Sequence, residues 1–435
     1  VATNNSGFLF IGVIGYTFAV GMAAAWMMIA WILGDFLTSL FVHRRLRQET
    51  EATGGASFAS VVSKWGGSDF RIWRRIAALV TILFLGTYAA AQISAGGKAL
   101  QVMLNWTPEA GAIISAILIL AYSAVGGIRA SIWTDAAQSI VMVFALALLV
   151  IVTLVEVGGL GSAGAQLAEL PGFMSLFPTD LSIPGFLGAM LFALGWGAAG
   201  VGTIGQPHIM IRFMAMERAD QINRVRFWYY GFFIAFYTLA ISLGLLARIQ
   251  MPDLMSGDTE LALPLMAVEL LPSIMVGVIL AGVFAATMST ADSLVLSCSA
   301  SITHDLSAKH LDRPWMMKLA TAAVTVSALL FALFGASSVF SLVLGAWSML
   351  ACAFAPLMML LAMQRRVSEW AAIGMMVAGV GVAVLWTRAG PVDVINEALP
   401  GIAIPFVLGL LLSRPAPATS PGREAQSAAA RQAAE

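Results

Sequence analysis

Between Gly282 and Asp305 the chain reads GVFAATMSTADSLVLSCSASITHD, apolar enough to cross a bilayer yet carrying Ser289, Thr290, Asp292, Ser293, Ser297, Ser299 and Ser301. On a helix, Ala286, Ser289, Thr290, Ser293 and Ser297 fall at i, i+3, i+4, i+7 and i+11, so their carbonyl and hydroxyl oxygens share one stripe. A row of neutral oxygens can replace part of the water shell of a small hard cation. The competing explanation is packing: small Ser, Thr and Ala residues let membrane helices approach, each hydroxyl bonded back to its own helix. Asp292 favours the ion reading, because an intramembrane carboxylate costs several kcal/mol and is functional by default.

Such a helix must be positioned by others of its kind. The 435 residues are 60% hydrophobic and 11% charged, the composition of an all-α integral membrane protein. Continuous apolar runs exclude the alternating strands of a membrane barrel. Formal net charge is zero and gives no reason to expect nucleic acid. Cys298 and Cys352 both lie in apolar spans, which suits buried thiols rather than a disulfide framework.

Twelve membrane segments are expected, at about 1–20, 22–42, 71–104, 110–126, 133–156, 185–205, 225–247, 274–303, 315–335, 337–363, 368–387 and 398–413. The loop with His43, Arg44, Arg45, Arg47, Lys64, Arg71, Arg74 and Arg75 is cytoplasmic by the bias of Lys and Arg to that side. Alternating from it leaves only Lys98, Arg248 and Arg388 of the 23 basic residues outside. The outer loops carry Glu109, Asp180, Asp258 and Glu260 among their acids. Residues 414–435 are low-complexity and are expected to form a disordered cytoplasmic tail after a transmembrane domain spanning 1–413.

Two segments stand apart. The first holds Gly7, Gly12 and Gly15; the sixth reads LGWGAAGVGTIGQPH, with five glycines before Pro207. They lie five segments apart with opposite directions across the membrane. Glycine-interrupted segments at matching places of two inverted halves point to a transporter site near the midplane. Close helix packing also uses glycine, and remains the alternative.

At GWG…GQPHIMIRFMA (195–215), AYSAVGGIRASIWTDAAQS (121–139) and AATMSTADS…SITHDL (285–306), the chain resembles the sodium:solute symporter family, nearest to its sodium/proline branch. The resemblance implies a leucine-transporter-like fold of two inverted five-helix repeats with two extra C-terminal helices. It also implies that one helix and part of the next are missing before Val1. The expected function is sodium-coupled import of a small solute such as proline, by alternating access, in the plasma (inner) membrane. Symport of pantothenate, a sugar, sialic acid or a monocarboxylate is the alternative, as is a symporter-like sensor. Partners are then the solute and the lipid bilayer, with a monomeric chain.

Carried over by motif, the resemblance implies a sodium site from the backbone oxygens of Ala2, Asn5 and Ala286 and the hydroxyls of Ser289 and Thr290. All-oxygen ligation suits a hard monovalent ion. Asn4 stands where the proline branch has an acidic residue. Asp135, with Asp292 and Ser293, matches a second cation site, or two carboxylates sharing a proton; helix capping by Asp135 is the structural alternative. Phe8, Gly12, Tyr122, Trp196 and Thr203 match solute-site positions, Phe8 replacing a tryptophan and Thr203 a tyrosine, in a segment longer by three residues. No enzyme is expected: the chain has no HExxH for zinc, and its four histidines are assigned to the cytoplasmic face, away from any intramembrane haem.

Overall fold

The computed structural model describes residues 2–306, 314–335, 338–390 and 395–415, the side chains of Ala2, 124–130 and Pro314 excepted. Arg129 and His310 therefore fall outside the described side chains, as does the tail from 416 onward. Among the described residues, nine helical runs are long and apolar enough to span a membrane, and Pro108–Ser123 and Ala398–Leu412 are shorter apolar helices. The run Phe8–Ser39 contains two crossings, which makes twelve.

That fold-back follows from glycine chemistry and from contacts. Gly21 has φ of 72°, and a Cβ there would stand 2.1 Å from the Phe173 carbonyl oxygen. A left-handed backbone and a close carbonyl both exclude a side chain. Tyr16 and Trp31, either side of Gly21, both reach Trp196, at ring separations of 6.2 and 6.3 Å. A straight helix would hold them about 22 Å apart.

The long helical stretch Pro108–Glu156 folds back too. Tyr122 and Thr134, twelve residues apart, share a hydrogen bond, where a straight helix would separate them by about 18 Å. Ser115 packs on Gly96 beside Phe284, while Ala145 packs on Gly282, so both limbs lie at one level of the Ser273–Ala300 helix.

Both segments with clustered glycines are broken helices. In the first, a turn over Ala2–Asn4 is separated by Asn5–Ser6 from helix that begins at Gly7 and continues through Phe8–Val13 and Ile14–Val20. In the second, Gly185–Val201 tightens over Gly202–Gly205, Gln206 is extended (φ −98°, ψ 101°), and Pro207–Met214 restarts the helix. Pro207 causes the break: it biases the residue before it away from helix and fits the first helical turn, where no N–H is needed.

The first broken helix is held by Arg71–Met103, Ile222–Gln250, Ser273–Ala300 and Val339–Ala362. The C-terminal pair, Glu369–Ala389 and Ala398–Leu412, packs on Val339–Ala362. The start of the expected tail is ordered: Arg414 and Pro415 pair antiparallel with Arg366 and Arg365. Arg365 holds this end by donating to Ser413 Oγ at 2.6 Å and to the Leu410 and Ser413 carbonyls, which the last helix leaves open.

The tightest crossing joins Ala25–Ser39 to Gly185–Val201, where a Cβ on Gly34 would lie 2.1 Å from the Gly197 oxygen. Backbone cannot yield as a flexible side chain can. Gly34→Ala is therefore expected to destabilise the purified protein by roughly 1–3 kcal/mol, read as a lower melting temperature. Gly231→Ala, with nothing within 4 Å of the new Cβ, should be neutral or stabilising. Equal melting of the two variants would contradict the crossing.

Candidate ion and solute site

The first break leaves backbone groups that lipid cannot satisfy. Gln92 Oε1 accepts the Gly7 N–H at 3.0 Å, and Ser6 Oγ accepts the Phe8 N–H at 3.1 Å. The Ser6 hydroxyl also meets Tyr88 Oη at 3.1 Å. Glycine is required at position 7, since a Cβ would stand 2.6 Å from Thr287 Cγ2.

The Ser/Thr stripe faces this break. Thr290 Oγ1 donates to the Thr3 carbonyl at 3.2 Å, and Ser289 Oγ donates to the Ala286 carbonyl at 3.1 Å. The Ala2–Asn4 turn is thus brought against Ala286, Ser289 and Thr290, with 287 positions between Thr3 and Thr290. The donor set suits sodium: every group is a neutral oxygen, and both side-chain polar atoms of buried Asn5 have no partner among the described residues. An orphaned buried amide beside such oxygens is consistent with an ion-binding turn.

One turn further in, the expected carboxylate pair has a third member. Arg212 Nη2 donates to Asp135 Oδ2 at 2.6 Å, to Ser293 Oγ at 2.6 Å and to Ser131 Oγ at 3.2 Å. Thr3 Oγ1 also gives its proton to Asp135 Oδ2, at 3.2 Å. Asp292 is approached by the Ser131 and Ser123 hydroxyls and feels both Arg212 and Asp135. Asp135, Asp292 and Ser293 do gather, but a guanidinium stands where two carboxylates alone were expected. Like-charge repulsion, the ground for proton sharing, is offset by that cation.

The solute residues are gathered only in part. Phe8 stacks on Phe340 (5.4 Å), Phe340 on Tyr16 (4.6 Å), and Tyr16 meets the edge of Trp196. Gly12, Tyr16 and Phe340 line an outer cavity of about 440 Å³ whose rim carries Lys98, Asp258 and Glu260. Lys98 Nζ bonds both carboxylates at 2.6 Å, and Glu260 accepts the N–H groups of Val339 and Phe340 at the start of their helix. Trp196 is packed among Tyr16, Trp31 and Phe192. Thr203 is fully buried, its hydroxyl without a partner among the described residues. Tyr122 does not join them: it bonds Thr134 and lies in the inner charge cluster with Asp135, Asp292 and Arg212.

His208 corrects its sequence assignment. It is fully buried at the second break, edge-on to Tyr88 and Trp347, and so lies in the interior rather than at the cytoplasmic face. Neither ring nitrogen finds a partner among the described residues. Arg212, Tyr88, Gln92 and Asp35 were missed by sequence reasoning. Asp35 sits in the apolar run AWMMIAWILGDFLTS, so the cost argument that singles out Asp292 applies to it equally.

Twelve crossings, one broken against the hydroxyl-lined Ser273–Ala300 helix and another against Val339–Ala362, are the architecture of a multi-pass membrane carrier. The sequence profile of the Sodium:solute symporter family matches residues 1–379, and the chain belongs to that family. It is similar to the "High-affinity proline transporter PutP" of Bacillus subtilis (strain 168), 30% identical over 96% of this chain and 90% of the relative. It is also similar to the "Sodium/proline symporter" of Escherichia coli (strain K12), 28% identical over 94% and 82%. Among solved structures, a Na+-coupled sialic acid symporter in a substrate-bound outward-open state superposes with TM-score 0.74 at 20% identity, over 94% of this chain and 87% of that one. MhsT in complex with L-phenylalanine gives 0.54 at 17%, over 92% and 98%. The fold is the leucine-transporter-like one, and sodium is the coupling ion.

The ion pair yields a double-mutant test. Asp135→Asn or Arg212→Gln alone strands a mostly buried partner and should lower stability by roughly 2–4 kcal/mol. The double variant should lose much less than the sum, measured by thermal melting. Additive losses would mean the two groups do not share a site.

Proposed function

We infer that the chain imports proline or a closely related amino acid, driven by sodium bound between the Ala2–Asn5 segment and Ser289/Thr290. The observation that carries the ion site is the Thr290 hydroxyl meeting the Thr3 carbonyl inside the first break. Proline as solute rests on the printed function of the relatives together with the aromatic wall of Phe8, Tyr16, Trp196 and Phe340. A flat apolar wall above a polar break suits a small amphiphile whose carboxylate and amine need backbone partners.

Alternating access is supported by two cavities that approach the break from opposite sides. The outer one ends on Gly12 and Phe340. A smaller inner one, about 110 Å³, is lined by Thr3, Asn4, Arg212 and Tyr229. Phe8 stacked on Phe340 stands between them. Asp135, Asp292 and Ser293, with Arg212, sit on the inner route and act as an exit station for the cation, not as an enzyme's catalytic group. Tyr122 belongs to that station, and Thr203 to the solute side of the second break.

Proteoliposomes holding the protein are expected to accumulate radiolabelled proline under an inward sodium gradient and not under potassium. Ser289→Ala combined with Thr290→Ala should raise the sodium concentration for half-maximal uptake about tenfold or more, since each hydrogen-bonding group to a charge contributes roughly 1.5–3 kcal/mol. Uptake indifferent to sodium would remove the ion reading. A sodium-driven panel response that favours a sugar or monocarboxylate over proline would replace the solute alone.

A further inference from the structure

We propose that Asp35 supplies negative charge to the cation-binding turn of this chain, acting on it through Tyr229 and Asn4. Asp35 is fully buried on the Ala25–Ser39 helix. Tyr229 Oη donates to Asp35 Oδ2 at 2.9 Å, and Asn4 Nδ2 donates to the same phenol oxygen at 2.7 Å. Both donors point toward the carboxylate, so the two dipoles align and strengthen each other. The positive end of the Asn4 amide faces Tyr229, and its negative end is turned away from it. Asn4 closes the Ala2–Asn4 turn and lines the inner cavity with Thr3 and Arg212.

Its hydrogen-bonded link to the turn sets Asp35 apart. Thr3 is bonded to Asp135, but Asp135 is paired with Arg212 at 2.6 Å, and the charge left on Asp292 belongs to that same inner cluster, across the turn from Tyr229. Among the described residues Asp35 enters no ion pair and its Oδ1 has no hydrogen-bond partner in range, the Tyr230 hydroxyl standing near the same carboxylate. Arg226, on the helix that carries Tyr229, is tied one turn away, to Ser39 Oγ at 2.9 Å and Ser39 O at 2.8 Å. An uncompensated carboxylate in a low-dielectric interior is unfavourable unless a cation shares its field. The relay offers one: the ion of the neighbouring turn.

This rests on the reading that the Ala2–Asn5 segment with Ser289 and Thr290 holds sodium, and the experiment separates the two. Sodium is titrated against the purified full chain, reading the rise in melting temperature, and against proline uptake in proteoliposomes. Asp35→Asn is expected to raise half-saturating sodium roughly tenfold in both, the scale of a unit charge felt at about 10 Å through an effective dielectric of about 20. Half-saturating proline at saturating sodium should stay as in the parent. Asn4→Asp added to Asp35→Asn should restore sodium affinity, and Tyr229→Phe, which keeps the ring, should reproduce a smaller loss. If Asp35→Asn does not fold, Tyr229→Phe and the relocated-charge variant decide the matter. Unchanged sodium affinity in Tyr229→Phe, or a loss in Asp35→Asn that Asn4→Asp fails to restore, overturns the proposal and leaves Asp35 a structural tether. If Ser289→Ala with Thr290→Ala also keeps its sodium affinity, the sodium site itself is misplaced; if only that variant loses affinity, the site stands and the role of Asp35 falls.

Discussion

A helix broken inside a bilayer exposes N–H and C=O groups that hydrocarbon cannot satisfy, and the rest of this molecule is arranged around that constraint. At the first break, Gln92 takes the Gly7 N–H and Ser6 the Phe8 N–H, while Thr290 donates to the Thr3 carbonyl. At the second, Gln206 Nε2 donates to the Trp347 carbonyl and Trp347 Nε1 to the Ala199 carbonyl. The Arg71–Met103, Ser273–Ala300 and Val339–Ala362 helices are therefore more than packing partners. Their polar side chains make an interrupted backbone affordable at this depth.

Charge follows the same logic at the two ends. Outside, Lys98 joins Asp258 and Glu260, and Glu260 also accepts from the first N–H groups of the Val339–Ala362 helix, where the helix dipole favours an anion. Inside, Arg212 joins Asp135, Ser293 and Ser131. Each cluster ties together elements from both halves of the fold. Between them lie the neutral oxygens of the break and the ring stack of Phe8 on Phe340. Paired charges thus stand near either mouth, and neutral dipoles occupy the centre.

Much of this was legible in the sequence because it is local. Apolar runs set the crossings, and glycines with Pro207 marked the breaks. The period of the Ser273–Ala300 helix placed Ser289 and Thr290 on one stripe. What escaped depends on how the chain folds back. Tyr122 was grouped with the solute residues, yet the reversal before Thr134 brings it into the inner cluster. Arg212 was counted as a loop cation, although its partner Asp135 lies 77 residues away in sequence. The sixth segment, read as ending near 205, puts His208 at the inner face, whereas Pro207 restarts the helix within the interior. Asp35 carried a signal equal to that of Asp292, but its significance needs Tyr229, 194 positions distant.

The central claim is that the Ala2–Asn5 segment and the Ala286–Thr290 turn bind one sodium ion together. Hydrogen exchange measured by mass spectrometry on the full chain, in sodium against potassium at equal ionic strength, tests it directly. Peptides covering 2–9 and 284–294 are expected to gain protection together, over one sodium concentration range, with peptides from the Glu369–Ala389 helix unchanged. Protection of neither segment, or of one without the other, would contradict the account.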